Sequence, residues 1–283
     1  MIMKVIFVCT GNTCRSPLAE GYLSSKNISG LTVCSRGIYA DSSPVSENSA
    51  KTALKYGFDI SAHISKPITE DDLDADFFIC MSDSHKELVL QYPVESQRVF
   101  VLSGGIPDPF GGDLTVYDIC ANRIFDAIDN LLFEGFFTGF CVKDISFEHI
   151  KEIAKLEKEC FSTPWSENAI AESVSAGTKF FVAEKGGKVA GYVGISTVLD
   201  EGYITNVAVA SDYRRSSVAT LLLSRIFTLA RKFDLSFVSL EVRNSNIPAI
   251  SLYEKNGFKQ EGKRKNFYEA PLEDALIMTR RFK

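Results

Sequence analysis

The sequence has no apolar run long enough to span a bilayer, which argues against a membrane-spanning protein. Its start, MIMKVIFVCTGN, is briefly apolar but has no small-residue cleavage site, so it predicts a strand and not a secretory signal. The seven cysteines have no spacing typical of disulfide-rich proteins. A reduced, cytoplasmic setting is therefore expected, with no membrane partner.

The sequence contains no spacing typical of a metal site and no motif for nucleoside triphosphate hydrolysis. The sequence has three histidines, and neither His63 nor His85 has metal-ligand spacing to another His or Cys, so no metal site is expected. No Walker lysine motif is present, which argues against a nucleoside triphosphatase. The net charge of −5 argues against a general nucleic-acid binder.

What is present is the composition of a soluble globular protein, with 45% apolar and 24% charged residues in a chain of 283. Charge is distributed unevenly along the chain. Residues 1–141 hold 10 Lys and Arg against 18 Asp and Glu, whereas residues 142–283 hold 21 against 18. This asymmetry and the length predict two domains, 1–140 and 142–283, joined at GFFTGFCVKD without a low-complexity linker.

The hydrophobic pattern differs between the halves. In the first half, strands such as residues 3–9 alternate with helices, which predicts a parallel sheet covered by helices. The second half predicts a strand and a helix, then a three-strand meander with a hairpin at Gly186-Gly187, before a long helix over 216–232. The halves are therefore different α/β domains and not an internal repeat.

The most informative stretch is IFVCTGNTCRSPLAE, residues 6–20, where a strand runs into a turn and then a helix. Cys9 and Arg15 form a C-x5-R pattern across this turn. Successive backbone N–H groups and the helix dipole favour an anion there, and they also stabilise a thiolate. Arg15 can fork onto two phosphoryl oxygens. The turn therefore predicts a nucleophile, an anion hole and a charge clamp.

Transfer of a phosphoryl group to Cys9 also requires a proton donor for the leaving group. Asp108 in IPDPFGG, held between two prolines, is the candidate acid and later the base toward water. Ser16 is expected to hydrogen-bond the sulfur, and Asn12 to brace the turn from within.

These motifs resemble a known family. VCTGNTCRSPLAE followed by DPFGG is similar to the low-molecular-weight protein-tyrosine-phosphatase family, over about residues 1–140. The resemblance implies that fold, with Cys9 as nucleophile, Arg15 as phosphate binder, Asp108 as general acid and no cofactor. Residues expected to bind phosphate or set specificity are Thr10, Gly11, Asn12, Thr13, Cys14 and Ser16.

Two positions refine this resemblance. Cys14 matches the family's second cysteine, which can form a protective disulfide with Cys9, although a merely buried thiol remains an alternative. Thr13 stands where tyrosine-specific members often have a bulky aliphatic residue, and it resembles the protein-arginine phosphatases of Gram-positive bacteria. Phosphoarginine is therefore expected over phosphotyrosine.

Arsenate reductase is a neighbouring alternative with the same fold and thiol turn. Its chemistry needs two further cysteines close together to relay a disulfide. Cys80 and Cys120 are well separated in the sequence, so the relay is expected to be absent.

The second half repeats an anion site with other residues. In NVAVASDYRRSSVATLLL a strand, a turn and a helix follow one another, and the free N–H groups at the helix start suit phosphate. Further on, Glu241 falls on a predicted strand and Tyr253 on the next helix. A carboxylate and a phenol of this kind would make a proton-transfer pair for acyl transfer.

Residues 144–283 resemble a GNAT-fold N-acetyltransferase, most of all the ribosomal-protein-alanine N-acetyltransferases. The resemblance is carried by FSTPWSE, NVAV, YRRSSVATLLL, LEVRNSNIPAISLYEKNGF and NFYEAPLEDALIM. It implies acetyl-CoA as donor, a protein's N-terminal amine as acceptor, Glu241 as general base and Tyr253 as general acid. The residues implied to contact the cofactor are Val207, Val209, Arg214, Arg215, Ser216, Ser217, Val218, Ala219 and Asn246.

One departure from the GNAT pattern concerns Ser217, which stands where glycine is usual. Glycine permits close approach of backbone to phosphate and unusual torsions, so serine is expected to weaken or shift binding. The Trp165 segment fits either a core or an acceptor-peptide groove.

Together the motifs predict a fused phosphatase and N-terminal acetyltransferase acting on phosphorylated proteins and on the N-terminus of a ribosomal protein. The alternative is one active enzyme with the other domain as a protein-binding scaffold.

Overall fold

The computed structural model describes residues 2–282. The chain divides into two compact units, Met1–Leu131 and Leu132–Lys283. The division falls in the last turn of a helix, earlier than the boundary predicted between residues 140 and 142. Phe133, Phe137 and Phe140 are each at most 8% exposed, so this apolar segment packs as part of a folded unit and is not a free linker. The sequence-based boundary stays a prediction.

The first unit is built on a four-stranded sheet in the order β2-β1-β3-β4, in which every neighbouring pair is parallel. Its helices and strands are β1 (Met3–Cys9), α1 (Arg15–Ser24), β2 (Leu31–Gly37), α2 (Glu47–Lys55), β3 (Phe77–Cys80), α3 (Asp83–Val89), β4 (Val99–Val101) and α4 (Leu114–Phe133).

The central strand β1 explains where the reactive turn lies. Residues Val5 to Val8 are fully buried, as expected for a strand covered on both faces. The chain leaves β1 at Cys9, at the carboxyl edge of a parallel sheet, where open α/β sheets bind their ligands. Ser82 caps α3 by accepting a hydrogen bond from the His85 amide at 3.3 Å.

The second unit is built on a seven-stranded mixed sheet in the order β10-β11-β9-β8-β7-β6-β5. Its helices and strands are β5 (Cys141–Asp144), α5 (Phe147–Cys160), α6 (Glu167–Ser175), β6 (Lys179–Lys185), β7 (Lys188–Val198), β8 (Glu201–Val209), α7 (Val218–Lys232), β9 (Phe237–Arg243), α8 (Ile247–Lys255), β10 (Lys259–Glu269) and β11 (Leu272–Arg281).

The predicted meander is present as β6, β7 and β8, paired antiparallel. Gly186 and Gly187 form its first turn with φ of 57° and 76°, and both positions require the left-handed conformation of a tight hairpin. Helix α6 was not predicted. The sequence does contain a signal for the start of this helix, because Ser166 is an N-cap residue that accepts a hydrogen bond from the Ala169 amide at 3.1 Å.

Strands β8 and β9 pair in parallel for only three residues, from Glu201 opposite Phe237 to Tyr203 opposite Ser239. Within residues 2–282 no further pairing joins them, although each continues for several residues beside its other neighbour. The carboxyl halves of β8 and β9 therefore diverge and leave a cleft in the sheet.

Across residues 2–282, none of the helices is both long and apolar enough to cross a membrane.

A buried ion pair in the first unit gives a stability prediction. Asp72 is 1% exposed and accepts from Arg36 Nε at 2.7 Å and Arg36 Nη2 at 2.8 Å. We expect Asp72→Asn to lower the free energy of unfolding by about 3 kcal/mol, because Arg36 keeps a largely buried charge without its partner. Chemical denaturation measures this, and Asp71→Asn, at an exposed neighbour, should change stability by less than about 0.5 kcal/mol.

The same pair predicts a pH dependence. Burial alone would raise the pKa of Asp72, but the hydrogen bonds from Arg36 and the Thr69 amide outweigh it and lower the pKa. A carboxyl whose pKa is lowered by folding stabilises the protein above its ordinary pKa of about 4, and the stabilisation is lost as the pH falls through the lower value. The difference in the free energy of unfolding between wild type and Asp72→Asn should therefore become smaller in acid. A difference that stays the same at every pH would contradict this prediction.

Candidate functional site

The turn between β1 and α1 brings the predicted nucleophile and anion clamp together. Cys9 ends β1 and Arg15 begins α1, and their exposed fractions are 2% and 5%. Cys9 Sγ accepts a hydrogen bond from the Asn12 amide at 3.3 Å and lies 3.0 Å from Ser16 Oγ. One backbone donor and one hydroxyl therefore lie beside the sulfur.

Asn12 determines the shape of this turn. It is fully buried with φ of 53°, a left-handed conformation that asparagine tolerates better than most residues. Its side-chain Nδ2 donates to Ser16 Oγ at 2.9 Å and to Ser35 Oγ at 2.8 Å, and its side-chain Oδ1 accepts from the backbone amide of Lys66 at 2.9 Å. These bonds hold a backbone that would otherwise be strained.

Two neighbouring residues complete the support. A Cβ at Gly37, the end of β2, would lie 2.9 Å from the Thr10 carbonyl oxygen and 3.0 Å from Asn12 Cβ, so only glycine fits beside the turn. His63 Nε2 lies 3.0 Å from the Asn12 carbonyl oxygen. His63 thus supports the backbone of the turn.

The turn also presents donors without acceptors. Among the residues that the structure describes, the backbone N–H groups of Gly11, Thr13 and Cys14 donate to no protein acceptor, and the buried Arg15 Nε has no hydrogen-bond partner. Buried donors are normally satisfied, so this set fits an oxyanion that they surround.

Asp108 lies over the same turn. Its carboxylate contacts Arg15 Nη2, and its Oδ1 accepts from the Phe110 amide at 3.2 Å. Arg15 Nη1 donates to the Ile106 carbonyl at 3.1 Å, so the arginine is anchored to the loop that bears Asp108. Because the Asp108 side chain is 46% exposed, it borders both the turn and solvent.

Sequence reasoning missed the contact of His85 with the turn. Its Nε2 lies 2.8 Å from Thr10 Oγ1, and Thr10 Oγ1 accepts from Arg15 Nη2 at 3.4 Å. Burial, followed by the charge of Arg15, lowers the pKa of His85 to about 4. A neutral Nε2 then accepts the Thr10 hydroxyl proton, while Nδ1 faces Ser82 Oγ at 2.8 Å. His85 thereby orients Thr10 toward Arg15.

Two residues of the turn that the sequence analysis singled out, Thr13 and Cys14, lie next to each other. Thr13 is half-buried, with Oγ1 3.6 Å from Cys14 Sγ. Cys14 Sγ lies 3.3 Å from the hydroxyl of Tyr117, whose pKa is raised to about 12 by burial and by the bond to Cys14. All seven cysteines are free thiols in this structure.

Cys80 and Cys120 bear on the arsenate-reductase alternative. Burial raises the pKa of each thiol to about 12, so both stay protonated near neutral pH. Neither is activated for thiol exchange, which requires the thiolate.

In the second unit, the turn between β8 and α7 has two residues in an unusual conformation. Arg215 and Ser217 both have φ of 66°, where glycine is favoured. The first α-helical bond runs from the Leu221 amide to the Ser217 carbonyl at 2.9 Å. The amides of residues 218–220, which include Val218 and Ala219, lie ahead of it and point toward the turn.

The other predicted cofactor residues surround this turn. Arg214 folds back to the end of β8, where Nε donates to the Val209 carbonyl at 3.4 Å. Val207 and Val209 lie on the part of β8 that diverges from β9. Ser216 Oγ donates to the Tyr213 carbonyl. Asn246 caps α8 by accepting from the Ala249 amide at 3.2 Å, a role that the sequence did not suggest.

Glu241 and Tyr253 lie on β9 and α8 as predicted. Glu241 Oε1 accepts from Arg264 Nη1 at 2.9 Å, and Tyr268 OH donates to the Glu241 carbonyl at 3.3 Å. Tyr253 is 7% exposed, and burial, with a smaller effect of Tyr268, raises its pKa above the ordinary value. Tyr268, which sequence reasoning missed, therefore contacts the backbone of Glu241.

Comparison with known proteins agrees with this geometry. The Low molecular weight phosphotyrosine protein phosphatase family matches residues 4–138, and the Acetyltransferase (GNAT) family matches residues 150–258. The chain belongs to both families, one in each unit. The expected resemblances and fold class are thereby confirmed, and the protein is an enzyme with a phosphatase unit (Met1–Leu131) and an acetyltransferase unit (Leu132–Lys283).

Individual relatives match one unit each. The protein-arginine-phosphatase of Geobacillus stearothermophilus is 34% identical over 140 residues, 46% of this chain and 95% of that protein. The low molecular weight protein-tyrosine-phosphatase PtpB of Staphylococcus epidermidis (strain ATCC 12228) is 36% identical over 139 residues, 47% of this chain and 99% of that protein. The ribosomal protein bS18-alanine N-acetyltransferase of Escherichia coli (strain K12) is 35% identical over 125 residues, which cover 44% of this chain and 84% of that protein.

A buried carboxylate organises the acetyltransferase unit near its cleft. Glu157 of α5 is fully buried and accepts from the Tyr192 hydroxyl, from Asn206 Nδ2 at 2.9 Å and from the Trp165 amide at 2.7 Å. It joins the Trp165 segment to β8. The Trp165 ring itself packs on Phe180 at 6.4 Å, so this residue belongs to the core.

The left-handed serine gives a stability prediction. We expect Ser217→Gly to raise the free energy of unfolding by up to about 1 kcal/mol, because φ of 66° costs a non-glycine residue roughly 1–2 kcal/mol and the entropy of glycine offsets part of the gain. Ser216→Gly is the matched control, since it has no positive φ and loses the bond to Tyr213. Thermal unfolding measures both, and shifts in the same direction would contradict the assignment.

Proposed function

We propose that the protein combines a cysteine-dependent protein phosphatase, with phosphoarginine preferred over phosphotyrosine, and an acetyl-CoA-dependent acetyltransferase for the alanine N-terminus of a ribosomal protein. The observation that carries the first activity is the set of unpaired donors around Cys9, above all the buried Arg15 Nε. The second rests on the divergence of β8 and β9 beside the start of α7.

In the phosphatase unit, Cys9 Sγ attacks phosphorus and forms a P–S bond while the bond to the leaving group breaks. The free amides of the turn and Arg15 bind the phosphoryl oxygens. Asp108 moves from Arg15 to the leaving nitrogen or oxygen and donates its proton. It then takes a proton from water, which attacks phosphorus and releases phosphate and the Cys9 thiolate. Ser16 stabilises the departing sulfur from 3.0 Å.

The preference for phosphoarginine is supported by Thr13. Its hydroxyl is half-buried at the rim of the turn and offers a hydrogen bond that an aliphatic side chain lacks. The relatives alone do not decide the substrate, because the arginine phosphatase and the tyrosine phosphatase are 34% and 36% identical to this chain. Phosphotyrosine is therefore the second candidate.

In the acetyltransferase unit, the residues present fit acetyl-CoA. The amides at the start of α7 and the left-handed turn before it suit a pyrophosphate, and the free edge of β8 at Val207 and Val209 suits an extended amide-bearing arm. Arg214 adds positive charge. Asn246 is expected to touch the same ligand through its amide nitrogen, since its oxygen caps α8. Bound acetyl-CoA would supply the acetyl group as a thioester.

Two residues of this unit are the proposed general base and general acid, Glu241 and Tyr253. Glu241 takes the proton of the acceptor amine, directly or through water, once the amine competes with Arg264 for the carboxylate. Tyr253 would supply the proton that the thiolate of bound acetyl-CoA needs on leaving, and its raised pKa keeps the phenol protonated for this role. We place the whole enzyme in the cytoplasm, where phosphorylated proteins and ribosomal proteins are accessible.

Reciprocal variants test the two activities in the full chain. Cys9→Ser should reduce hydrolysis of p-nitrophenyl phosphate at least 10³-fold, on the order of the loss expected when a nucleophile is removed, and leave acetyl transfer to an alanine peptide unchanged. Glu241→Gln should do the reverse, with a loss of about 10²-fold or more in acetyl transfer. Hydrolysis that survives Cys9→Ser would reject the phosphatase mechanism. Absence of acetyl-CoA binding by calorimetry would favour the scaffold alternative.

Substrate preference has its own test. Thr13→Ile should shift the ratio of kcat/KM from phosphoarginine peptide toward phosphotyrosine peptide by about tenfold or more, because a hydrogen bond to the guanidinium is replaced by apolar contact. Thr10→Ser, which keeps a hydroxyl beside His85 and Arg15, is the control and should leave the ratio unchanged. An unaltered ratio in Thr13→Ile would remove the specificity assignment.

A further inference from the structure

Arg243 at the end of β9 makes an unusual set of contacts. Nη1 donates to the Pro271 carbonyl at 3.1 Å and to Glu273 Oε2 at 3.2 Å. Nη2 donates to the Ala270 carbonyl at 2.9 Å and to Ser162 Oγ at 3.2 Å. One guanidinium thus joins the segment after α5 to the turn between β10 and β11.

These contacts use the planar fork of arginine fully. Nη1 and Nη2 carry four N–H groups, and each of them has an acceptor: three acceptors lie in residues 270–273, and the fourth is Ser162. The guanidinium also lies 4.2 Å from the centre of the Tyr268 ring. A lysine has three donors on one nitrogen and cannot reach both segments in this way. The link is therefore specific to arginine.

The position of Arg243 relates this link to the reaction. Glu241 and Arg243 are two residues apart on β9, so their side chains project from the same face of the sheet. Tyr268, which stacks with Arg243, donates to the Glu241 carbonyl. Glu273, the ion-pair partner, also accepts from the Ser245 amide at 2.6 Å, just before the helix that bears Tyr253.

We propose that Arg243 is a positioning residue that clamps the 161–165 segment to the 269–272 turn and so shapes the binding surface for the acceptor peptide. This inference rests on the proposed acetyltransferase function. With the clamp intact, the acceptor meets two segments already ordered on the Glu241 side of the sheet. Without it, binding must order them, and the cost appears in the affinity for the peptide and not in the transfer step.

The test uses the full chain with Arg243→Lys, acetyl-CoA and a synthetic peptide that begins with alanine. We expect the KM for the peptide to rise about tenfold, with kcat changed less than about twofold and the Kd for acetyl-CoA by calorimetry unchanged. The control is Arg281→Lys on β11, whose ion pair with Glu261 is exposed and outside the clamp. It should leave all three constants unchanged. An unchanged peptide KM in Arg243→Lys would overturn the proposal.

Amide hydrogen exchange separates the clamp from the proposed function. Arg243→Lys should speed exchange in residues 161–165 and 269–272 together, whereas Ser162→Ala, which removes one contact, should do so only in 161–165. If wild type transfers no acetyl group while Arg243→Lys shows the paired change, the proposed function fails and the clamp stands. If neither segment exchanges faster in Arg243→Lys, the clamp is wrong whatever the activity.

Discussion

The phosphatase unit depends on one buried asparagine that holds the backbone in a left-handed turn. Asn12 bonds to Ser16, Ser35 and the Lys66 amide, and these bonds offset the cost of its positive φ. The neighbouring amides are then free to face an anion beside Cys9 instead of continuing a strand or starting a helix. The turn therefore offers these N–H groups, together with the Arg15 guanidinium, to a single anion.

The acetyltransferase unit also has left-handed residues in the turn between a strand and a helix. There the left-handed residues are Arg215 and Ser217, which precede the long helix α7, and the first α-helical bond starts only at the Leu221 amide. Among the strands that the structure describes, the parallel sheet of the phosphatase unit has no counterpart to the cleft between β8 and β9. Two folds thus expose backbone donors at a strand-turn-helix junction, and we propose that one binds a phosphoryl group and the other a pyrophosphate.

The sequence predicted the parts of the fold and site that lie close together along the chain. The C-x5-R turn, the meander and the hairpin at Gly186-Gly187 are local, so spacing and turn chemistry suffice for them. His85, Tyr117 and Tyr268 escaped prediction because each reaches its partner across many residues, as with the 75 between Thr10 and His85. Their roles depend on strand order and side-chain packing, which periodicity does not specify. Helix α6 is an exception, because it was not predicted although its cap at Ser166 is local.

The segment next to Arg243 has one more property that follows from composition. Trp165 is the only tryptophan in the chain, and its backbone amide is bound to the buried Glu157 while its ring lies against Phe180. Tryptophan emission from this protein, excited beyond the tyrosine absorption band, therefore originates at a single indole, three residues from Ser162, which Arg243 contacts. The 161–165 segment, which we propose to border the acceptor peptide, therefore carries the fluorophore.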